Sequence, residues 1–219
     1  MKVNTDAYGP LNERYVTRIK QTLDKCIEEH PRTMVIRFDL HFPSNKQKTY
    51  RKDSTLVTKF IASLKSQIES EYKRKKKLEV RVHKTSLRYL WVREFGSRPD
   101  DDLSEDDNQP VHYHVALMLN KDAYAYPGTF YKQEGTYVHN LSFMIMEAWV
   151  RALNLHREEN YEKYYPLVHF PQNPYYHLNR NQPEFTDELQ PVIDRLLYLA
   201  KIYSKDSSDG FRNFGCSQY

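Results

Sequence analysis

The 219-residue chain has few cysteines and few glycines, two and six respectively. Cys26 and Cys216 lie far apart and lack any Cys-x-x-Cys spacing. That argues against a disulfide framework and against a thiolate zinc site, and fits a reducing cytosol. No apolar run approaches the roughly 18 residues of a membrane span. The opening MKVNTDAYGP lacks the form of a signal peptide. A soluble, intracellular protein without a membrane partner is the expectation. No Gly-x-x-x-x-Gly-Lys-[Ser/Thr] loop is present, so the chain carries no phosphate-loop helicase of its own.

What is present points to a folded chain with a polar surface. Hydrophobic residues make up only 39%, yet 14% are aromatic, including 18 tyrosines. Disordered chains are poor in aromatics. A net charge of +4 leans modestly toward anionic partners. The length suits one domain over 1–219, with an N-terminal helical segment over 1–31 and a C-terminal tail over 206–219.

Apolar spacing predicts a helix from Leu11 to about Glu29, stopped by Pro31. Thr33 to Phe42 alternates as a half-buried strand, with Arg37, Asp39 and His41 on its polar face. Asp53 or Ser54 can cap a second helix. That helix runs into Lys73-Arg74-Lys75-Lys76-Lys77, a basic cluster able to attract phosphate backbones. Leu78 to His83 reads as a short strand and Ser86 to Phe95 as a longer one. An acidic, proline-flanked connection over 96–110 leads into Val111 to Leu119. Tyr137 to Leu155 is apolar nearly all round and predicts a buried helix. The following 164–179 segment reads as short, aromatic-rich strands and turns, and aromatic rings can stack on unpaired bases.

The Val111–Leu119 strand places His112 and His114 side by side on one face, a geometry that suits one divalent ion. An antiparallel hairpin sets the strand ending in Glu94 beside it. If Glu94 lies on the histidine face, a register the sequence does not fix, two imidazoles and one carboxylate form a partial shell for Mg²⁺ or Mn²⁺, with positions left open for substrate oxygens. A final helix from Thr186 or Asp187 to about Lys205 puts Tyr203 in the core. Tyr198 stands among Lys201 and Lys205 on the polar side. A phenol is a poor nucleophile at neutral pH, and a neighbouring ammonium favours its phenolate.

The Trp91-Val92-Arg93-Glu94 strand end, the His112-Tyr113-His114 strand and the late Tyr198-Leu199-Ala200-Lys201 resemble HUH endonucleases. More narrowly the chain resembles the rolling-circle replication proteins of inovirus-type phages and their prophage relatives; its ending, Phe211 to Gln218, is similar as well. The resemblance implies an α+β fold of ferredoxin-like (RRM or palm) type, an antiparallel sheet with helices on one face and the active site on the open face. It implies His112, His114 and Glu94 as metal ligands, Tyr198 as nucleophile and Lys201 as its positioning partner. Asp39 and His41 follow as further site candidates. Lys73, Arg74, Lys75, Lys76, Lys77 and Lys205 would contact DNA. Two-tyrosine members carry the second tyrosine four residues on, where this chain has Ile202, so single-tyrosine chemistry is implied. The implied activity is nicking and joining of single-stranded DNA at an origin, hairpin-borne or not. It would proceed through a 5′-phosphotyrosine in the bacterial host cytoplasm, with a host or phage helicase acting in trans. Two other readings of the same residues stay open: a non-catalytic nucleic-acid-binding module such as an origin binder or repressor, and a metal-dependent hydrolase using activated water.

Overall fold

The computed structural model describes residues 9–51, 53–96, 110–203, 205 and 210–218. Residues 97–109 of the acidic connection expected over 96–110, and the first part of the expected tail, 206–209, lie outside the described residues.

Helix α1 (Glu13–Glu29) starts at Asn12, whose side chain accepts the Tyr15 N–H at 3.2 Å. Such a cap satisfies a donor that the first helical turn leaves unpaired. Strand β1 (Arg32–Leu40) follows Pro31 directly, and a short α2 (Gln47–Arg51) leads to the long α3 (Leu56–Lys77). Strands β2 (Arg88–Phe95) and β3 (Val111–Asn120) precede α4 (Leu141–Ala152), capped by Asn140 on the Phe143 N–H at 2.9 Å. The chain closes with β4 (Val168–His169), β5 (Tyr175–Asn179), α5 (Phe185–Leu197) and β6 (Phe214–Cys216). No strand forms over 78–83: Leu78 and Glu79 end the α3 turn, with Glu79 at φ +56°, and residues 80–87 run irregularly.

The six described strands form one antiparallel sheet in the spatial order β4–β1–β3–β2–β6, and β5 continues the β4 edge of β1. One face carries Met34, Ile36, Phe38, Leu40, Tyr113, Val115 and Leu117 against Phe60, Leu64 and Trp149 of α3 and α4, the larger core. Each such fully buried side chain contributes about 1.5–3 kcal/mol. The Trp149 indole N–H also donates to the His41 carbonyl at 2.8 Å, tying α4 to the end of β1.

The other face is not open along its length. Val35, Leu90, Val92, Ala116 and Met118 pack against Ile19, Leu23 and Cys26 of α1 and Val192, Ile193 and Leu196 of α5. Helices therefore cover both faces, and β1 is buried on both sides rather than half-buried. The physical reason is in the strands themselves: their second face is apolar at one end and must be covered. The last strand of the chain, β6, lies on β2 with Gly215 opposite Trp91. A Cβ there would run into the indole ring, so glycine is what lets this strand close the sheet edge.

Helix α5 stops eight residues before the expected end. After Leu197 a single 3₁₀ turn (Tyr198–Ala200) leads to Lys201 in extended conformation. The segment preceding α1 captures this backbone: the Asn12 N–H donates to Ala200 O at 2.8 Å, the Ile202 N–H to Pro10 O at 3.2 Å, and Leu11 bridges Lys201. The helical wheel breaks at that point. Tyr203, expected in the core, is 71% exposed.

Candidate active site

The register assembles the polar end of the second face in rungs. Val92, His114, Asp39 and His169 are successive cross-strand partners, and Glu94 is the partner of His112 in the next rung. Cross-strand partners share a face, so the four polar side chains of these two rungs from β1, β2 and β3 project together. His41, just beyond β1, stacks its ring on His112 with centroids 5.5 Å apart.

The contacts within the group are short. Asp39 Oδ1 lies 2.5 Å from His114 Nδ1, and Arg37 Nη2 sits 3.2 Å from the same oxygen. With Nδ1–H donated to Asp39, the other nitrogen of His114 faces inward: Nε2 is 3.2 Å from His112 Nε2 and 3.2 Å from Glu94 Oε2. A carboxylate that holds one imidazole nitrogen so that the other is presented is the usual support of a metal-bound histidine. At metal–nitrogen bonds of about 2.0–2.1 Å, neighbouring ligands at octahedral to tetrahedral angles lie about 2.8–3.4 Å apart. The two 3.2 Å spacings therefore fit a single cation, and the ligand atoms of Glu94, His112 and His114 all lie within 4.8 Å of one another.

Burial pushes the His112 imidazole down to about 4, helped by His114 and His41 nearby, so at neutral pH it is the uncharged, ligand-competent form. Burial opposes charge on His114 too, but the hydrogen bonds to Asp39 and Glu94 prevail and raise it. Burial likewise works against the charge on Glu94. His114, Lys205 and Lys201 overcome it and bring its carboxyl down to about 2. Asp39 is lowered in the same way, chiefly by His114 and Arg37 against its burial.

Tyr198 reaches this group because α5 ends where it does. Its ring meets His114 edge-on with centroids 5.6 Å apart, and the Arg37 guanidinium carbon is 5.4 Å from its centroid. Lys201, 4% exposed, donates to the Tyr198 phenol oxygen at 2.5 Å and pairs with Glu94 Oε2 at 2.9 Å. The phenol and the carboxylate thus share one ammonium. Burial weighs against that charge, and Tyr198 and Glu94 together raise the Lys201 pKa above its ordinary value. Lys205, expected on DNA, is instead turned inward to Glu94 Oε1 at 3.1 Å and to the Lys201 carbonyl.

The remaining expected residues separate. Lys73 to Lys77 close α3 on the opposite face, where Lys75 and Tyr72 line a cleft with Asp122 and Tyr124, just past the Asn120 end of β3. Lys73 pairs with Glu69, and Arg74 and Lys75 both pair with Glu71. Residues that sequence reasoning missed are His169, the Asp39 partner on a two-residue strand, and the Pro10–Asn12 segment that holds the Tyr198 turn. A two-residue strand has no periodicity to find.

A family model for the YagK/YfjJ C-terminal domain matches residues 1–217. The chain belongs to the YagK/YfjJ C-terminal domain family. Two Escherichia coli (strain K12) relatives are similar along their whole length. YagK, described as an uncharacterized protein, is 31% identical with 100% of this chain and 99% of its own length covered. YfjJ, described likewise, is 32% identical with 96% and 97% covered. No solved structure matches the chain. No helix among the described residues of this YagK/YfjJ-type domain is long and apolar enough to cross a membrane.

Proposed function

We propose that the protein nicks and rejoins single-stranded DNA by tyrosine transesterification. The observation that carries this reading is the Lys201 ammonium held between the Tyr198 oxygen and Glu94, beside the His112–His114 pair. In the proposed reaction the Tyr198 oxygen bonds to phosphorus, the bond from phosphorus to the 3′ oxygen breaks, and the phenolic proton ends on the departing 3′-hydroxyl through solvent. The product is a 5′-phosphotyrosine, and reversal of the same step rejoins the strand. Lys201 stabilises charge on the phenol oxygen as its proton leaves. Arg37, Lys201 and Lys205 outnumber Asp39 and Glu94, so the site carries a cationic surplus suited to a phosphodiester. A divalent cation, Mn²⁺ or Mg²⁺, on Glu94, His112 and His114 would supply Lewis-acid stabilisation of a non-bridging phosphate oxygen. In this reading the core is ferredoxin-like. Supporting it are the element order β1–α3–β2–β3–α4–β4 and the neighbour order β4–β1–β3–β2. Unwinding would come from a helicase in trans in the bacterial cytoplasm.

A second reading rests on a specific contact. Both oxygens of Glu94 are already paired with lysines, which favours a metal-free nucleic-acid-binding module over an enzyme. Incubation with end-labelled single-stranded DNA separates the two. The enzyme gives a protein–DNA adduct that survives denaturation, needs Mn²⁺ or Mg²⁺, and disappears with EDTA or with His112→Ala plus His114→Ala. Salt-sensitive binding without an adduct under any metal would leave the binding module.

A further inference from the structure

A second group of ligand-type side chains stands beside the first. One ligand atom from each of Asp39, His41 and His169 lies within 4.8 Å of the others. The backbone fixes all three: Asp39 and His169 are cross-strand partners, and the His41 N–H donates to Leu167 O at 2.8 Å, which holds β4 against the end of β1. Asp39 divides its two oxygens. Oδ1 serves His114 and Arg37, whereas Oδ2 faces His169 Nδ1 at 3.6 Å, beyond hydrogen-bond range. Carboxylate and imidazole are thus aimed at one another across a gap rather than bonded. The His41 ring closes the third side, with its centroid 6.4 Å from that of His169.

We propose that Asp39, His41 and His169 form a second divalent-cation site. Two imidazoles and one carboxylate, the same donor types as Glu94, His112 and His114, suit divalent first-row ions such as Mn²⁺ or Co²⁺. Metal–ligand bonds of about 2.0–2.2 Å need ligand atoms about 3–4 Å apart. The 3.6 Å between Asp39 Oδ2 and the exposed His169 ring already lies in that range. Its exposed side leaves coordination positions for water or for an oxyanion. Asp39 joins the two sites through one side chain, holding the His114 ring with Oδ1 and the second ion with Oδ2. The site stands on these ligands alone and does not depend on the tyrosine chemistry.

Equilibrium dialysis of the full chain against Co²⁺, with the visible absorption of the bound ion as a second readout, tests this directly. The wild type binds two equivalents. His169→Ala, a change at an exposed position, binds one, as does His112→Ala combined with His114→Ala; the triple variant binds none. Thermal melts of each variant establish that it is folded. A single equivalent that His169→Ala abolishes and the His112/His114 pair does not need would support this site and count against the metal in the proposed function. A single equivalent lost only with His112 and His114, or two equivalents retained by His169→Ala, would overturn the second site.

Discussion

One face of the sheet has two unlike halves, built on the same three strands. At one end Val35, Leu90, Ala116 and Met118 lie under α1 and α5 and are fully or almost fully buried. From the next rung onward on the same strands, Asp39, Glu94, His112 and His114 take the corresponding positions. The apolar half is held by covering helices. The polar half is held by its own pairing: Asp39 with His114 and Arg37, and Glu94 with His114, Lys201 and Lys205. Strand alternation decides which residues share a face, but where α5 stops decides which of them a ligand can reach.

The contrast is sharpest when a charge is moved between the halves. Met118→Asp buries a carboxylate with no partner and is expected to cost at least about 5 kcal/mol, most or all of the stability of such a domain. Loss of the cooperative thermal transition measures it. A folded Met118→Asp protein would mean that α1 and α5 do not seal that half. Glu94→Gln works in the other direction, leaving the Lys201 and Lys205 ammoniums without their counter-charge. It is expected to cost about 3–5 kcal/mol in denaturant unfolding while the protein still folds.

Of the two halves, the polar one should respond to acid. Glu94 and Asp39 have folded pKa values below their ordinary ones, and so does His112. Between the folded and unfolded values the unfolded chain binds more protons, so each group contributes stability at high pH and loses it as pH falls. The His112 contribution fades from about 6.5 down to about 4, and that of Glu94 from about 4.5 down to about 2. His114, raised instead, contributes below about 6.5 and loses that contribution as pH rises through its folded value. Melting temperature against pH should therefore be flatter between 6.5 and 4 for His112→Ala, and flatter below 4.5 for Glu94→Gln. Profiles parallel to the wild type would place the acid sensitivity elsewhere.

The smallest effect is expected at the basic end of α3. Replacing Lys73, Lys75, Lys76 and Lys77 by Ala together should change adduct formation less than about 3-fold and lower the salt dependence of binding only slightly. A tenfold or greater loss would mean that DNA runs from the candidate site around to the opposite face.

Much of the sheet was legible because strand periodicity is short-range. The alternation in residues 33–42 and 111–119 sorts both strands correctly, and a hairpin between Glu94 and His112 follows from their order. The end of α5 was not legible. A wheel at 100° per residue assumes a helix that continues, whereas Pro10 and Asn12, nearly 190 residues earlier in the chain, take up the backbone groups of Ala200 and Ile202. For the same reason Tyr203 was misplaced, and the contact of Lys205 with Glu94 was not foreseen. The covering of the second face by α1 and α5 was missed because Val35, Ala116 and Met118 stand on the same strands as charged residues. His169 gave no signal, since its strand is two residues long.

The central claim is that Tyr198, delivered by the end of α5 to the Glu94–His112–His114 group, is the group that attacks. Tyr198→Phe and Tyr203→Phe, incubated in parallel with labelled single-stranded DNA and Mn²⁺, measure this most directly by the yield of covalent adduct. The expected result is no adduct from Tyr198→Phe and a wild-type yield from Tyr203→Phe; an adduct that persists in Tyr198→Phe would contradict the account.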